Sequence, residues 1–455
     1  MSTTEASEAI HPVDRVLPAG PMIAVGLQHV LVMYAGAIAV PLILGGALKL
    51  PKDQIAFLIN ADLFACGIAT LIQCIGIWKF GIRMPVVMGV TFAGVGPMVA
   101  MANANLPITA IFGAVIAAGV FAVLVSPYFG KLVRYFPPLV TGTIITVIGI
   151  TLLRVGVTWA IGGVPAVKDG ASGQALAIVA IVLATILALN RWGRGFIANI
   201  AVLLGLVVGF AVALALGMVR FDGVAEAEWI AAVYPFRFGP PTFDFGAVIS
   251  LCLVMVVVMV ESTGMFLALG EICDRRVGSN DIGRGLAADG LGTIIGGIFN
   301  TFPYTSFSQN VGLVGITGVR SRWVVAVSGV ILIALGLFPK MATVIASIPL
   351  PVLGGAGLCM FGMVAATGIK ILARADFTAR HNLLIVAVSI AVGMIPLMAP
   401  TFFNQAPKWL DAIVHSGITL AAICAVVLNA MFNGGRPAAA VEKELAAIAG
   451  SSADL

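Results

Sequence analysis

The sequence predicts an all-α polytopic membrane protein. We expect about fourteen transmembrane segments, forming two inverted seven-span repeats with a short antiparallel strand in spans 3 and 10. Three observations carry this. First, 60% of the 455 residues are hydrophobic and 10% are charged, with a mean hydropathy of +1.10, whereas soluble domains carry about 25% charged residues. Second, mostly apolar stretches of about 20 residues, the length that crosses a bilayer, recur along the chain. Third, a polar but uncharged segment from Phe302-Pro303 to Gly312 has a counterpart from Met84-Pro85 to Gly94 at a constant offset.

The spans are expected near 20–46, 54–78, 84–103, 107–129, 138–159, 173–190 and 196–219, and then near 246–270, 285–299, 303–319, 321–346, 351–373, 381–399 and 411–432. The 53 glycines suit close helix approach in a membrane. The longest polar gap, Phe221 to Asp244, reads as a loop, and the charged run Glu271 to Arg284 as solvated. The first nineteen residues mix acids with one arginine and have no apolar run, so no cleavable signal peptide is expected.

With both termini cytoplasmic, the inside loops hold fourteen Lys/Arg, from Lys79 to Arg380 and including Lys131 and Arg134. The outside loops hold seven, from Lys49 to Lys408 and including Lys168. This bias follows the positive-inside rule and favours an even number of spans in a cell membrane. The net charge of +5 reflects topology, and no nucleic-acid partner is expected. The six cysteines are scattered without metal-ligand spacing and read as packing residues.

In the repeat, Pro85 matches Pro303, Thr91 matches Gln309, and Gly94 matches Gly312. Pro138 to Gly142 similarly resembles Pro351 to Gly355. Seven is odd, so the halves enter the membrane from opposite sides. The runs before Thr91 and Gln309 suit short extended segments better than full helices. Two such half-strands can pair near the midplane, each leading into a half-helix whose free N–H groups point at a site. Polar, Pro/Gly-broken backbone at that depth must be buried in protein or line a cavity, and it marks the binding site of a carrier.

Ionisable groups inside spans are functional candidates because each is costly to bury. Glu261 lies mid-span after an apolar run with no cation within a helical turn; it is either a ligand or a carboxyl packing across helices. Asp289 in the next span is a structural or a proton-coupling group, and His29 a packing residue or a ligand. Asp62 and Arg154 also fall in spans, without a motif around them. Gln309 and Asn310 bring amides that both donate and accept. Amides facing a carboxylate beside free backbone N–H groups suit a flat heterocycle with alternating N–H and C=O groups. Asn310 serves equally to tie down the broken backbone, and Phe92 stacks on a ring or simply packs.

The run Gln309-Asn310-Val311-Gly312-Leu313-Val314-Gly315-Ile316-Thr317-Gly318 resembles the signature of the nucleobase–ascorbate transporters, [QEP]-N-x-G-x-x-x-x-T-[RKG], at every fixed position. Gln28-His29, Glu261 and Asp289 also fall where that family keeps polar residues. The resemblance, to the bacterial xanthine/uric acid permease branch, covers about residues 20–432. It implies a core domain (20–129 and 246–346) and a gate domain (138–219 and 351–432), between cytoplasmic tails 1–19 and 433–455. It further implies that Glu261 and Gln309 hold the base, with Phe92, Thr91 and Ser308 around it. Asp289, His29 and Asn310 would support or couple, and Thr317 would mark the motif's end.

Family members are typically dimeric proton or sodium symporters in which the core slides against the gate; no cofactor is implied beyond that ion. Gln309, where uracil carriers have an acid, tilts the substrate to xanthine or uric acid, and Thr91 tilts it towards urate. A carboxyl held mid-membrane without a cation is costly to keep charged, so it can take up and release a proton. Gln309 cannot titrate, which leaves Glu261, Asp289 and His29 as coupling candidates.

Besides a uracil permease of the same family, two other classes are weighed. A sulfate-permease-type anion carrier shares the architecture, but Glu261 in the site and the short tail after Gly434 speak against it. An enzyme would need a nucleophile–base pair or a metal cluster, and the scattered histidines His11, His29, His381 and His415 offer neither.

Overall fold

The computed structural model describes residues 10–129, 135–163, 170–407 and 410–434. The outer parts of both expected tails, 1–9 and 435–455, lie outside the described residues, as do Lys131, Arg134, Lys168 and Lys408 of the charge reading.

Helices α1 (Ala19–Ala47), α2 (Lys52–Ile75), α3 (Val95–Asn103), α4 (Ile108–Val125), α5 (Pro138–Ala160), α6 (Gly173–Trp192) and α7 (Ala201–Ala215) make the first half, with strand β1 (Met88–Val90) before α3. Helices α8 (Phe245–Ile272), α9 (Ser279–Ile298), α10 (Ser308–Thr317), α11 (Arg322–Gly336), α12 (Leu350–Leu372), α13 (Arg380–Met398) and α14 (Gly417–Asn433) make the second, with β2 (Tyr304–Ser306) before α10. Eight of these helices are long and apolar enough to cross a membrane on their own among the described residues. The rest are shorter, like α7 and α14, or more polar, like α9.

Local chemistry sets the ends. Proline stands at the N-cap of α1, α2, α4, α5 and α12 (Pro18, Pro51, Pro107, Pro137 and Pro349), where its missing N–H costs nothing and its fixed φ suits entry. Gly318, at φ 65°, closes α10 in the left-handed conformation that glycine tolerates best. Span 7 is shorter than expected, Ala201–Ala215 after a separate turn at Phe196–Asn199, and three further boundaries differ from expectation. Span 11 is broken: α11 stops at Gly336 and a short helix, Pro339–Ala346, leaves at 78°, because Pro339 cannot continue the hydrogen-bond ladder. Helix α9 begins at Ser279, about two turns early, because the Asp281 carboxylate accepts from the Gly278 N–H at 3.1 Å and organises residues expected to be loop. The last span starts at Gly417, after a separate turn at Asp411–Val414.

β1 and β2 pair antiparallel with Met88 opposite Ser306 and Val90 opposite Tyr304. Met88 and Ser306 are 218 positions apart, the offset that relates the two repeats. In an inverted repeat, the pair lying on the pseudo-two-fold axis must be repeat-equivalent, and this pair is. Packing obeys the same rule. Helix α2 packs on α11 as α9 packs on α4, and α1 on α11 as α8 on α4. Helix α6 lies on α7 as α13 lies on α14, while α5–α12 and α2–α9 are self-related pairs. Most packing thus falls within two sets, α1–α4 with α8–α11, and α5–α7 with α12–α14.

Without a hydrophobic drive between helices in lipid, close packing must supply the attraction. At the α2–α11 crossing, a Cβ on Gly67 would stand 2.5 Å from the Gly329 carbonyl oxygen; at the α4–α9 crossing, one on Gly119 would stand 2.8 Å from that of Gly290. Any larger residue would separate these helices.

Candidate substrate site at the paired strands

The strand pair is held from behind by α2 and α9. The Met88 N–H donates to Thr70 Oγ1 at 3.0 Å and the Cys66 thiol donates to the Met88 carbonyl at 2.6 Å. On the other strand, the Tyr304 N–H donates to Thr293 Oγ1 at 3.1 Å. Beyond the ladder, the Phe307 N–H reaches the Val87 carbonyl and the Thr91 N–H reaches the Pro303 carbonyl, at 3.0 and 2.9 Å. The short strands therefore sit in the protein interior with the Met88, Tyr304, Phe307 and Thr91 N–H groups satisfied, in line with what membrane depth requires.

Each strand leads into a helical end. Helix α10 follows Phe307 with no side-chain cap, so the Ser308 and Gln309 N–H groups lack intrahelical partners. Gln309 is exposed at this end, and the Ser308 hydroxyl donates to Gln309 Oε1 at 3.3 Å. Across the pair, Thr91 is buried and its hydroxyl caps the turn Phe92–Gly94 by accepting from the Ala93 N–H at 3.2 Å. Half-buried Phe92 packs edge-on against Phe361 of α12, with centroids 5.9 Å apart. Helix α8 runs past β2, α10 and this turn. It carries Glu261, half-buried and without a hydrogen bond or ion pair among the described residues. The helix that carries this carboxylate thus packs against both strand–helix junctions, one of which presents the exposed Gln309 amide and the free N–H groups.

Asp289 and the His29–Asn310 pair stand behind this face. Asp289 is fully buried on α9; its Oδ1 accepts from Gln73 Nε2 at 2.9 Å and its Oδ2 has no partner. Asn310 Nδ2 donates to the His29 carbonyl at 2.8 Å and lies 3.1 Å from the ring Nδ1, which ties α1 to α10. Thr317 lies at the far end of α10, its hydroxyl donating to the Leu313 carbonyl and accepting from the Val319 N–H. Arg154 is exposed on α5.

Gln73 and Ser262 were not foreseen. Gln73 also donates to the Gly285 carbonyl and accepts from the Ile82 N–H. The Ser262 hydroxyl meets Thr305 Oγ1 at 3.3 Å. The one signal in the sequence was the spacing of Cys66, Thr70 and Gln73, which puts three polar groups on one face of an apolar helix.

Residues 20–402 match a family model described as a permease family. The chain is 53% identical over 435 residues to the uric acid transporter UacT of Escherichia coli (strain K12), covering 95% of this chain and 90% of that one. It is 44% identical to a xanthine permease of Bacillus subtilis (strain 168), covering 93% and 97%, and 44% identical to the uric acid permease PucK of the same organism, covering 91% and 96%. Among solved structures, the transmembrane domain of the cyanobacterial bicarbonate transporter BicA matches with a TM-score of 0.64 at 16% identity, over 91% of this chain and 98% of that one. Murine Slc26a9 matches at 0.61 and 12%, over 92% and 69%. At such identity these two speak for the fold alone. The signature at Gln309–Gly318, the paired strands and the match over residues 20–402 agree: the chain is a multi-pass membrane transport protein that belongs to the permease family of the nucleobase–ascorbate transporters.

Proposed function

We propose that this permease imports an oxidised purine, xanthine or uric acid, by proton symport, with the base held between Glu261 and Gln309. The observation that carries the reading is Glu261: a carboxylate without a hydrogen bond or ion pair among the described residues, on the helix that packs against the uncapped start of α10, is spare acceptor capacity beside spare donors. The carboxylate accepts from ring N–H groups, the Gln309 amide pairs with a ring carbonyl and its neighbouring N–H, and the Ser308 and Gln309 main-chain N–H groups donate. Phe92 packs against the ring. Thr91 acts through the turn it caps, because its hydroxyl is already engaged there. The names of the relatives, two uric acid carriers and a xanthine carrier, agree with this ligand class.

Asp289, with one bare buried oxygen, is the coupling candidate, and His29 and Asn310 brace α10. Residues 20–129 and 246–346 form a core that slides against a gate of 138–219 and 351–432; the Phe92–Phe361 contact lies between them. The protein works as a homodimer in the lipid of the cell membrane, with both termini cytoplasmic. The coupling ion is the proton, sodium being the alternative, and no cofactor takes part.

The test is uptake of labelled xanthine in cells lacking their own nucleobase carriers, at two external pH values and with sodium replaced. Block by urate but not uracil, together with loss on adding a protonophore, supports the reading. Block by uracil overturns the weight placed on Gln309, and dependence on sodium overturns proton coupling.

A further inference from the structure

One buried carboxyl has no place in the site described above. Asp62 lies on α2 one turn before Cys66 and is fully buried, far from any solvated end of its helix. Its Oδ1 accepts from the Tyr304 phenol at 2.9 Å, and the same hydroxyl lies 3.0 Å from the Asp62 main-chain carbonyl. Asp62 Oδ2 has no partner. The phenol oxygen is 2.9 Å from Thr301 Oγ1, which in turn accepts from the Phe302 N–H at 2.5 Å. A continuous chain of donors therefore runs from the Phe302 backbone through Thr301 and Tyr304 to Asp62. The Tyr304 ring that carries this chain is fully buried across α9: a Cβ on Gly296 would stand 2.8 Å from its Cε2. The ring is enclosed, and its hydroxyl end meets the carboxyl.

Tyr304 is also the first residue of β2, with its own N–H on Thr293 Oγ1. Two residues on, Ser306 pairs with Met88, and Phe307 then leads into α10. Only three extended residues, Thr305 to Phe307, separate Tyr304 from the Ser308 and Gln309 N–H groups. Four side chains on one face of α2 thus hold its neighbours in place: Asp62 holds β2, Cys66 and Thr70 hold β1, and Gln73 holds α9. Three of them act on backbone or on Asp289. Asp62 acts on a side chain, through a phenol that can be removed without altering the ring's volume.

We propose that Asp62 is a positioning residue for substrate: its acceptor oxygen, acting through the Tyr304 phenol, sets the register of β2 and with it the aim of the N–H groups at the start of α10. This rests on reading that helix start as the substrate site. The role belongs to the acceptor, so an amide serves in place of the carboxyl.

The test compares Tyr304→Phe, Asp62→Ala, Asp62→Asn and the double variant Asp62→Ala/Tyr304→Phe, by KM of purine uptake and by hydrogen–deuterium exchange of peptides covering residues 304–311 in the purified protein. Removing one buried hydrogen bond predicts a rise in KM of about fivefold in Tyr304→Phe and Asp62→Ala, with maximal rate per folded protein held within about twofold. Exchange over 304–311 quickens in both. The double variant is no worse than either single one, since both break the same link, and Asp62→Asn stays near wild type. Wild-type KM and exchange in Tyr304→Phe, additive losses in the double variant, or an Asp62→Asn as impaired as Asp62→Ala each overturn the proposal.

Gln309→Ala separates this from failure of the site reading. It should abolish uptake without changing exchange, whereas normal uptake in Gln309→Ala refutes the site. In that event, and equally if wild type carries no purine, the exchange measurement alone decides whether Asp62 holds the strand.

Discussion

Gln73 and Asp289 meet across the α2–α9 packing with 2.9 Å between Nε2 and Oδ1, and the same amide also serves Gly285 and Ile82. One neutral side chain thus joins two helices and the approach to β1. Gln73→Ala leaves a buried carboxyl oxygen and the Ile82 N–H unpaired, which costs about 1–3 kcal/mol. We expect a clearly lower thermal midpoint in detergent; a midpoint equal to wild type would mean that water replaces the amide.

Asp289→Asn keeps an oxygen to accept from Gln73 but cannot carry a proton. We expect it to bind substrate and to lose accumulation driven by a pH gradient. Full pH-driven accumulation in this variant would remove Asp289 from the coupling role and leave Glu261 and His29.

Glu261 has no partner among the described residues, so its removal breaks nothing in the fold. Glu261→Gln should leave the thermal midpoint unchanged while lowering affinity for the purine by about ten- to a hundredfold, the worth of a charge-assisted hydrogen bond. A fall in stability equal to the fall in binding would mark Glu261 as a packing carboxyl.

Gln309 is exposed at the start of α10. Gln309→Glu replaces a group that donates and accepts with one that only accepts when ionised. Competition by xanthine and urate should weaken and competition by uracil should strengthen. An unchanged competition order would show that the amide does not read the ring.

Asn310→Ala cuts the link from α10 to the His29 carbonyl, the 2.8 Å bond that joins two helices of the same set. A loss of about 1 kcal/mol in stability is expected, with substrate affinity falling less than in Glu261→Gln. Uptake assays normalised to folded protein check this.

Much of this was legible in residues alone. Pro303 and Gly312 marked broken backbone, the Pro85 and Gly94 counterparts gave the repeat, and the alternating run before Gln309 marked a strand that does pair. The motif at Gln309–Gly318 closes where it should because Gly318 takes a left-handed conformation. The bend at Pro339 and the early start of α9 escaped notice, because a hydropathy window averages over the single proline and the single cap that decide them. The polar face of α2 escaped for another reason: Cys66, Thr70, Gln73 and Asp62 are spaced helically among apolar residues, and their partners lie on β1, β2 and α9.

The sequence by itself determined that the chain lives in a membrane, where its broken segments fall, which repeat they belong to and which family it joins. These are properties of composition and short spacing, written along one dimension. Only the tertiary structure decided that Met88 sits opposite Ser306, that Asp289 shares an amide with Gln73, that Thr91 spends its hydroxyl on a turn, and that Asp62 reaches Tyr304. The physical reason is that a buried polar group must find its partner across space. In a bundle of crossing helices that partner lies wherever the glycines let two backbones approach.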